Sequence, residues 1–133
     1  MKGEFFIGLE NLHHITNSQT YRLYIHLGYF DGTFQFASYN NFKIGDEESQ
    51  YQLESLGDFE GTAEDNMSSD LDALFSTIDN DYSGCAEAGG AWWDNDCYTA
   101  QLNGKYNDIE QPMSWGGVAL KSVQMFIRAS ATA

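Results

Sequence analysis

Basic residues are scarce in this chain: six lysines and arginines stand against twenty acids, for a formal net charge of −14. Seventeen of the acids fall in residues 46–110, where Lys105 is the sole base. An acidic middle repels phosphate backbones and anionic membrane surfaces, so nucleic acid is not expected as a partner, whereas cations or a basic protein surface suit it. Acids this dense also make a plain solvated face. Long apolar runs are missing as well. The run Phe5, Phe6, Ile7 is far below the roughly twenty residues a membrane span needs, so no span is expected. The opening Met1-Lys2-Gly3-Glu4 has neither a long apolar region nor a cleavage site, which fits a mature fragment or a product lacking its upstream part. No internal repeat is present, and no histidine lies in the cysteine-bearing region. A Cys-His couple is therefore not suggested, Ser-His-Asp and metal-hydrolase spacings are lacking, and among so many acids a close pair does not mark a glycosidase. An enzyme is not expected.

What the chain does have is aromatic and apolar bulk. Aromatics make up 15% and apolar residues 42% of 133 residues, enough for one compact domain and too few residues for two comfortable ones. The densest stretch is residues 75–106, with both cysteines, Trp92 and Trp93, an Asp79-Asn80-Asp81 acid pair and a Gly89-Gly90 turn. With no other thiol to choose from, a Cys85–Cys97 bridge is the simplest pairing if the compartment is oxidising. Closing a loop of about a dozen residues would restrict the unfolded chain by roughly 3 kcal/mol in the chain-entropy account.

Periodicity sets the remaining elements. Leu9, Leu12 and Ile15 recur at helical spacing, and His13 and His14 within that helix read as packed or capping side chains. From residue 20 the period becomes two. Tyr21, Leu23, Ile25 and Leu27 alternate with Arg22, Tyr24 and His26 up to an Asp31-Gly32 turn, and residues 33–39 continue as a partner strand with Phe34 and Phe36 on one face. Residues 42–44 and 50–56 read as short strands about an acidic turn, and 57–74 as a loop region. Residues 118–127 read as one long strand running beside the early strands, with a parity break near Ser122 that fits a bulge or burial on both faces.

The dense stretch resembles the fibrinogen C-terminal domain family. Phe75-Ser76-Thr77-x-Asp79-x-Asp81, Cys85-Ala86, Gly90-Ala91-Trp92-Trp93, Asn95-x-Cys97 and Leu102-Asn103-Gly104-Lys105-Tyr106 follow the family's order at nearly its spacing. Upstream, GEFFIGLENLHHIT at 3–16 and YRLYIHLGYFDG at 21–32 are similar to family segments, as is VALKSVQMFIR at 118–128. The match covers almost the whole chain but only the last two thirds of a family domain. The resemblance implies an α+β fold: a twisted, mainly antiparallel sheet with a short helix and a loop-rich, disulfide-closed C-terminal subdomain. On that pattern, residues 1–133 form one domain, with 1–74 and 118–128 as the sheet part and 75–117 as the calcium and pocket loops.

For the site, the resemblance implies Ca2+ held by the carboxylates of Asp79 and Asp81 and the carbonyl of Ser83. Paired hard carboxylates and inward carbonyls suit an ion that takes six to eight oxygens, although such pairs are also common in acidic loops. Roughly four residues of the family's run are missing before Cys85. The family's ligand pocket, with a non-proline cis peptide beside it, maps onto Asp96-Cys97. Its rim falls on Cys97, Tyr98, Tyr106 and Trp115, with Asp94 and Asp96 as acidic neighbours. The short 106–115 segment removes part of the walls, so a shallower, more acidic site is expected. Trp92 and Trp93 match a pair that is mainly structural in the family, and Glu64 replaces a family glycine, so its turn is either strained or differently built. The implied function is a secreted, non-enzymatic recognition domain, first a lectin for acetylated glycans of the kind used in innate immune recognition. The alternative is a protein-interaction module with a degenerate sugar pocket. Oligomerisation would run through regions outside this chain.

Overall fold

The computed structural model describes residues 8–76, 92–93, 100–102 and 113–130. Its organising element is a pair of long strands, β1 (Tyr21–Tyr29) and β10 (Val118–Ala129), which join the start of the chain to its end in antiparallel register from Tyr21 opposite Ala129 to Leu27 opposite Val123. Between them in sequence lie β2 (Phe34–Tyr39), β3 (Lys43–Ile44), β4 (Leu53–Ser55), β5 (Phe59–Gly61), β6 (Phe75–Ser76), β7 (Trp92–Trp93), β8 (Ala100–Gln101) and β9 (Ser114–Trp115). A six-stranded sheet runs β5-β2-β1-β10-β9-β8, and β3-β4 and β6-β7 form two short antiparallel ribbons. Among the described residues, helix α1 (Leu9–Ser18) precedes β1 and a 3-10 turn spans Ser68–Asp70.

The period-two pattern of β1 decides which face is core. Leu23, Ile25 and Leu27 are fully buried, and their partners Tyr39, Ala37, Ile127 and Val123 extend the same face. Each buried aliphatic side chain stabilises the fold by about 1.5–3 kcal/mol. On β2 the two phenylalanines do not face this core. Phe34 is 78% exposed, and it is Ala37 and Tyr39 that turn inward. Phe34 and Phe36 share a face, as their spacing requires, but it is the outer one, where Tyr24 stacks on Phe126 at 5.2 Å and His26 meets the same ring edge-on. The parity break on β10 is a bulge. Gly28 pairs with Ser122 and Tyr29 with Leu120, leaving Lys121 as the extra residue.

Helix α1 docks on β3 through a polar contact. Its buried residue is Thr16, whose hydroxyl accepts from the Ile44 N–H, while Leu9 and Leu12 pack on the core as half-buried residues. His13 Nδ1 donates to the Ile44 carbonyl at 3.0 Å, which is the packed role expected of it. The β1–β2 hairpin closes at Asp31-Gly32, with Gly32 at φ 89° and Asp31 accepting from both the N–H and the hydroxyl of Thr33. Those two bonds hold the Asp31 carboxyl below its usual range.

Candidate ligand-binding region

The described strands frame the predicted site. Ser76 and Trp92 are register partners, so residues 77–91 leave and return at adjacent, buried strand ends. Residues 94–99 are bracketed by buried Trp93 and Ala100, and residues 103–112 by buried Leu102 and half-buried Met113. Asp79, Asp81, Ser83 and Cys85 fall in the first bracket, Asp94, Asp96, Cys97 and Tyr98 in the second, and Tyr106 in the third. All of these lie outside the described residues, and so do the Cys85–Cys97 pairing and the Asp96-Cys97 peptide.

The first frame is anchored by Trp93. Its indole, 3% exposed, meets Phe75 edge-on at 5.0 Å, Trp92 at 5.1 Å and Phe42 at 6.0 Å. Its Nε1 donates to the Tyr51 carbonyl at 2.7 Å. Edge-to-face aromatic contacts add about 0.5–1.5 kcal/mol each beyond area burial. The tryptophan pair therefore forms core, and a sugar-stacking platform would need faces that here are covered. Tyr51 adopts φ 51° beside Gln50 at φ 60°, two consecutive left-handed residues that cost about 1–2 kcal/mol each. That turn points the Tyr51 carbonyl at Trp93, while the Tyr51 hydroxyl donates to Glu10 Oε2 of α1 at 2.8 Å. The bond to Glu10, with further carboxylates nearby, pushes the Tyr51 phenol up to about 12. No sequence period marks Tyr51; the strand read over residues 50–56 begins only at Leu53.

The second frame is anchored by Trp115. It is 3% exposed, pairs with Val118 across a two-residue turn, and donates from Nε1 to the Glu64 carbonyl at 2.9 Å. Gly116 and Gly117 both have positive φ, 60° and 80°, as the tight hairpin turn demands. A Gly-Gly pair between apolar residues is a hairpin signal, and it is the feature that could have revealed β9, which the sequence reading missed. Glu64 itself is absent from the positive-φ residues, so the turn is rebuilt around glutamate and its backbone is not strained. Next to it, Asp65 accepts from the Tyr39 hydroxyl at 2.7 Å, the Ser68 hydroxyl at 2.6 Å and the N–H groups of Met67 and Ser68. Burial opposes its ionisation, but the side-chain bonds from Ser68 and Tyr39, with the backbone bonds, outweigh burial and hold the carboxyl below its usual range. Burial and the Asp65 bond push the Tyr39 phenol far up. Trp115 and Asp65 thus tie the third bracket and the 57–74 segment to one point of the core.

Comparison with known proteins agrees with this architecture. Residues 1–128 match the family described as "Fibrinogen beta and gamma chains, C-terminal globular domain". Fibrinogen-like protein 1 of Homo sapiens is 38% identical over 154 residues, covering 95% of this chain and 49% of its own length. Ficolin-3 of Homo sapiens is 41% identical over 111 residues, covering 79% of this chain and 37% of its own length. The chain thus spans half or less of these curated relatives. The fibrinogen-like globe domain of human ANGPTL6 superposes with a TM-score of 0.89 at 28% identity, over 98% of this chain and 66% of that one. A lamprey fibrin D-dimer complexed with the peptide Gly-His-Arg-Pro-amide superposes with a TM-score of 0.81 at 28% identity, over 98% of this chain and 52% of that one. The chain belongs to the fibrinogen C-terminal globular domain family, a family of non-enzymatic binding domains.

Proposed function

We propose that the chain is an extracellular recognition domain whose ligand site is built by residues 77–91, 94–99 and 103–112, and that its ligand is an acetylated glycan. The observation that carries this reading is the frame. The candidate segments depart from and return to buried or half-buried residues, Trp93 among them, and the indole N–H groups of Trp93 and of Trp115, the partner of Ala100, are bonded to main-chain carbonyls. Loops displayed on fixed ends lose little entropy when they order around a ligand. A ficolin among the relatives is in keeping with the glycan ligand that the family resemblance implies. In this reading Cys97, Tyr98 and Tyr106 line the pocket. Trp115 supports it from beneath, because its buried ring leaves no face for a sugar.

Asp79 and Asp81, with the Ser83 carbonyl, would supply hard oxygens of the kind Ca2+ takes, and Ser76 fixes the chain three residues before the first of them. The ion would supply charge and loop order there, and the residues themselves would set the loop's shape. A Cys85–Cys97 bridge would tie the calcium and pocket segments together.

A second reading, a protein-interaction module, draws support from the lamprey neighbour, which holds a peptide. Asp94 and Asp96 would then receive a basic or free-amine ligand. Calorimetry in millimolar Ca2+ separates the two. The glycan reading expects N-acetylglucosamine to bind and glucose to give no heat; binding of Gly-His-Arg-Pro-amide alone transfers the site to the second reading, and heat from neither probe rejects both.

A further inference from the structure

We infer that Glu10, His13 and His14 of α1 form a Zn2+ site. One donor atom from each of the three lies within 4.8 Å of the other two. Zinc bonds of about 2.0–2.2 Å to nitrogen and oxygen set ligand-to-ligand distances near 3.3–3.5 Å, so closure needs side-chain rotations of about an ångström. The two outer side chains of the three are exposed. His14 and Glu10 are 71% and 52% exposed and already touch, with His14 Nε2 at 3.2 Å from Glu10 Oε1.

The surrounding bonds are those that a metal site requires. His13 Nδ1 faces the Ile44 carbonyl at 3.0 Å, and a carbonyl only accepts, so Nδ1 carries the proton and Nε2 keeps its lone pair. Asn17 Nδ2 also lies 3.1 Å from this Nδ1, but its two N–H groups have nearer acceptors in the carbonyls of Ile44 at 2.8 Å and His13 at 2.9 Å, so the protonated Nδ1 is kept for the Ile44 carbonyl. Metal-ligating imidazoles donate their other N–H in this way, and ligating carboxylates are in turn hydrogen-bonded. Glu10 meets that condition through Oε2, which accepts from the Tyr51 hydroxyl at 2.8 Å and leaves Oε1 toward His14. Two imidazoles and one carboxylate are a zinc donor set with one position left open, and they are a poor one for Ca2+, which takes six to eight oxygens. An exposed Glu-His pair at i, i+4 is otherwise a surface contact of little consequence. What separates this one is the second imidazole, held by the fold, and the tyrosine behind the carboxylate.

The test is calorimetry with ZnCl2 at neutral pH in millimolar Ca2+, which occupies hard-oxygen sites, together with the visible spectrum of the Co2+-loaded chain. The wild type should bind one Zn2+ and show tetrahedral Co2+ bands. His14→Ala and Glu10→Gln alter exposed side chains and should lower affinity at least tenfold without changing the metal-free circular dichroism. His26→Ala, at the third histidine of the chain, should bind as the wild type does. Absence of Zn2+ binding in the wild type, or binding of equal strength in His14→Ala, overturns the site.

Discussion

The indole Nε1 of Trp93 donates to the carbonyl of Tyr51 at 2.7 Å, across forty-two residues of chain. That bond joins the β3–β4 connection, which is left-handed at Gln50 and Tyr51, to the ribbon that brackets residues 77–91. Replacing Trp93 with Phe keeps an aromatic against Phe42 and Phe75 but strands the Tyr51 carbonyl in the interior and leaves a void. The expected loss is about 2–4 kcal/mol, read as a lower urea midpoint at unchanged slope.

Asp65 and Tyr39 set opposite ends of the pH range. The Asp65 carboxyl lies below its usual value in the fold, so its contribution is present above the unfolded value near pH 4 and is lost as pH falls through the folded one. Asp65→Asn should cost about 1 kcal/mol at neutral pH, and its deficit against the wild type should shrink as the pH drops below about 4. Tyr39 is raised, so its contribution is complete below about pH 10 and lost as pH rises toward the folded value. Tyr39→Phe should flatten the alkaline limb. Urea unfolding across pH gives both slopes, and parallel curves for wild type and variants would contradict the assignment.

The elements that sequence reveals and those it hides differ in how their residues are stabilised. Helix α1, the β1–β2 hairpin and β10 follow their periods because each turns one row of buried or half-buried residues to the core, Leu9, Leu12 and Thr16 on α1, Leu23, Ile25 and Leu27 on β1, and Leu120, Val123 and Ile127 on β10. Strand β5, by contrast, lies inside residues 57–74, which read as loop. Its three residues are half-buried Phe59 and exposed Glu60 and Gly61, and pairing with Tyr39, Ser38 and Ala37 makes them a strand where pattern does not. Phe34 and Phe36 mislead in the other direction, since large aromatics on a common face suggest core while the small Ala37 sits where β1 crowds the sheet. At the site, the structural role of Trp92 and Trp93 was legible from their size and family motif. The part played by Tyr51 rests on backbone dihedrals and on one carbonyl, neither of which residue type encodes. Trp115 was expected at the ligand rim, and the structure places it buried with its N–H bonded to Glu64.

If Asp79 and Asp81 hold Ca2+ in the folded chain alone, as proposed, millimolar Ca2+ should raise the melting temperature by mass action. Asp81→Ala removes a charge and an oxygen and should weaken binding at least tenfold in calorimetry. A melting temperature indifferent to millimolar Ca2+ would mean that the shortened run before Cys85 no longer holds the ion.

Retention on immobilised N-acetylglucosamine tests the recognition reading most directly. The account predicts that the chain is retained, that free acetate elutes it by competing for the acetyl site, and that Tyr98→Ala passes through unretained. An acidic surface binding a basic partner would behave differently, since exposed charge pairs are screened within a Debye length of about 8 Å at physiological salt. Binding indifferent to acetate but abolished as salt rises from roughly 50 to 500 mM would contradict the glycan reading.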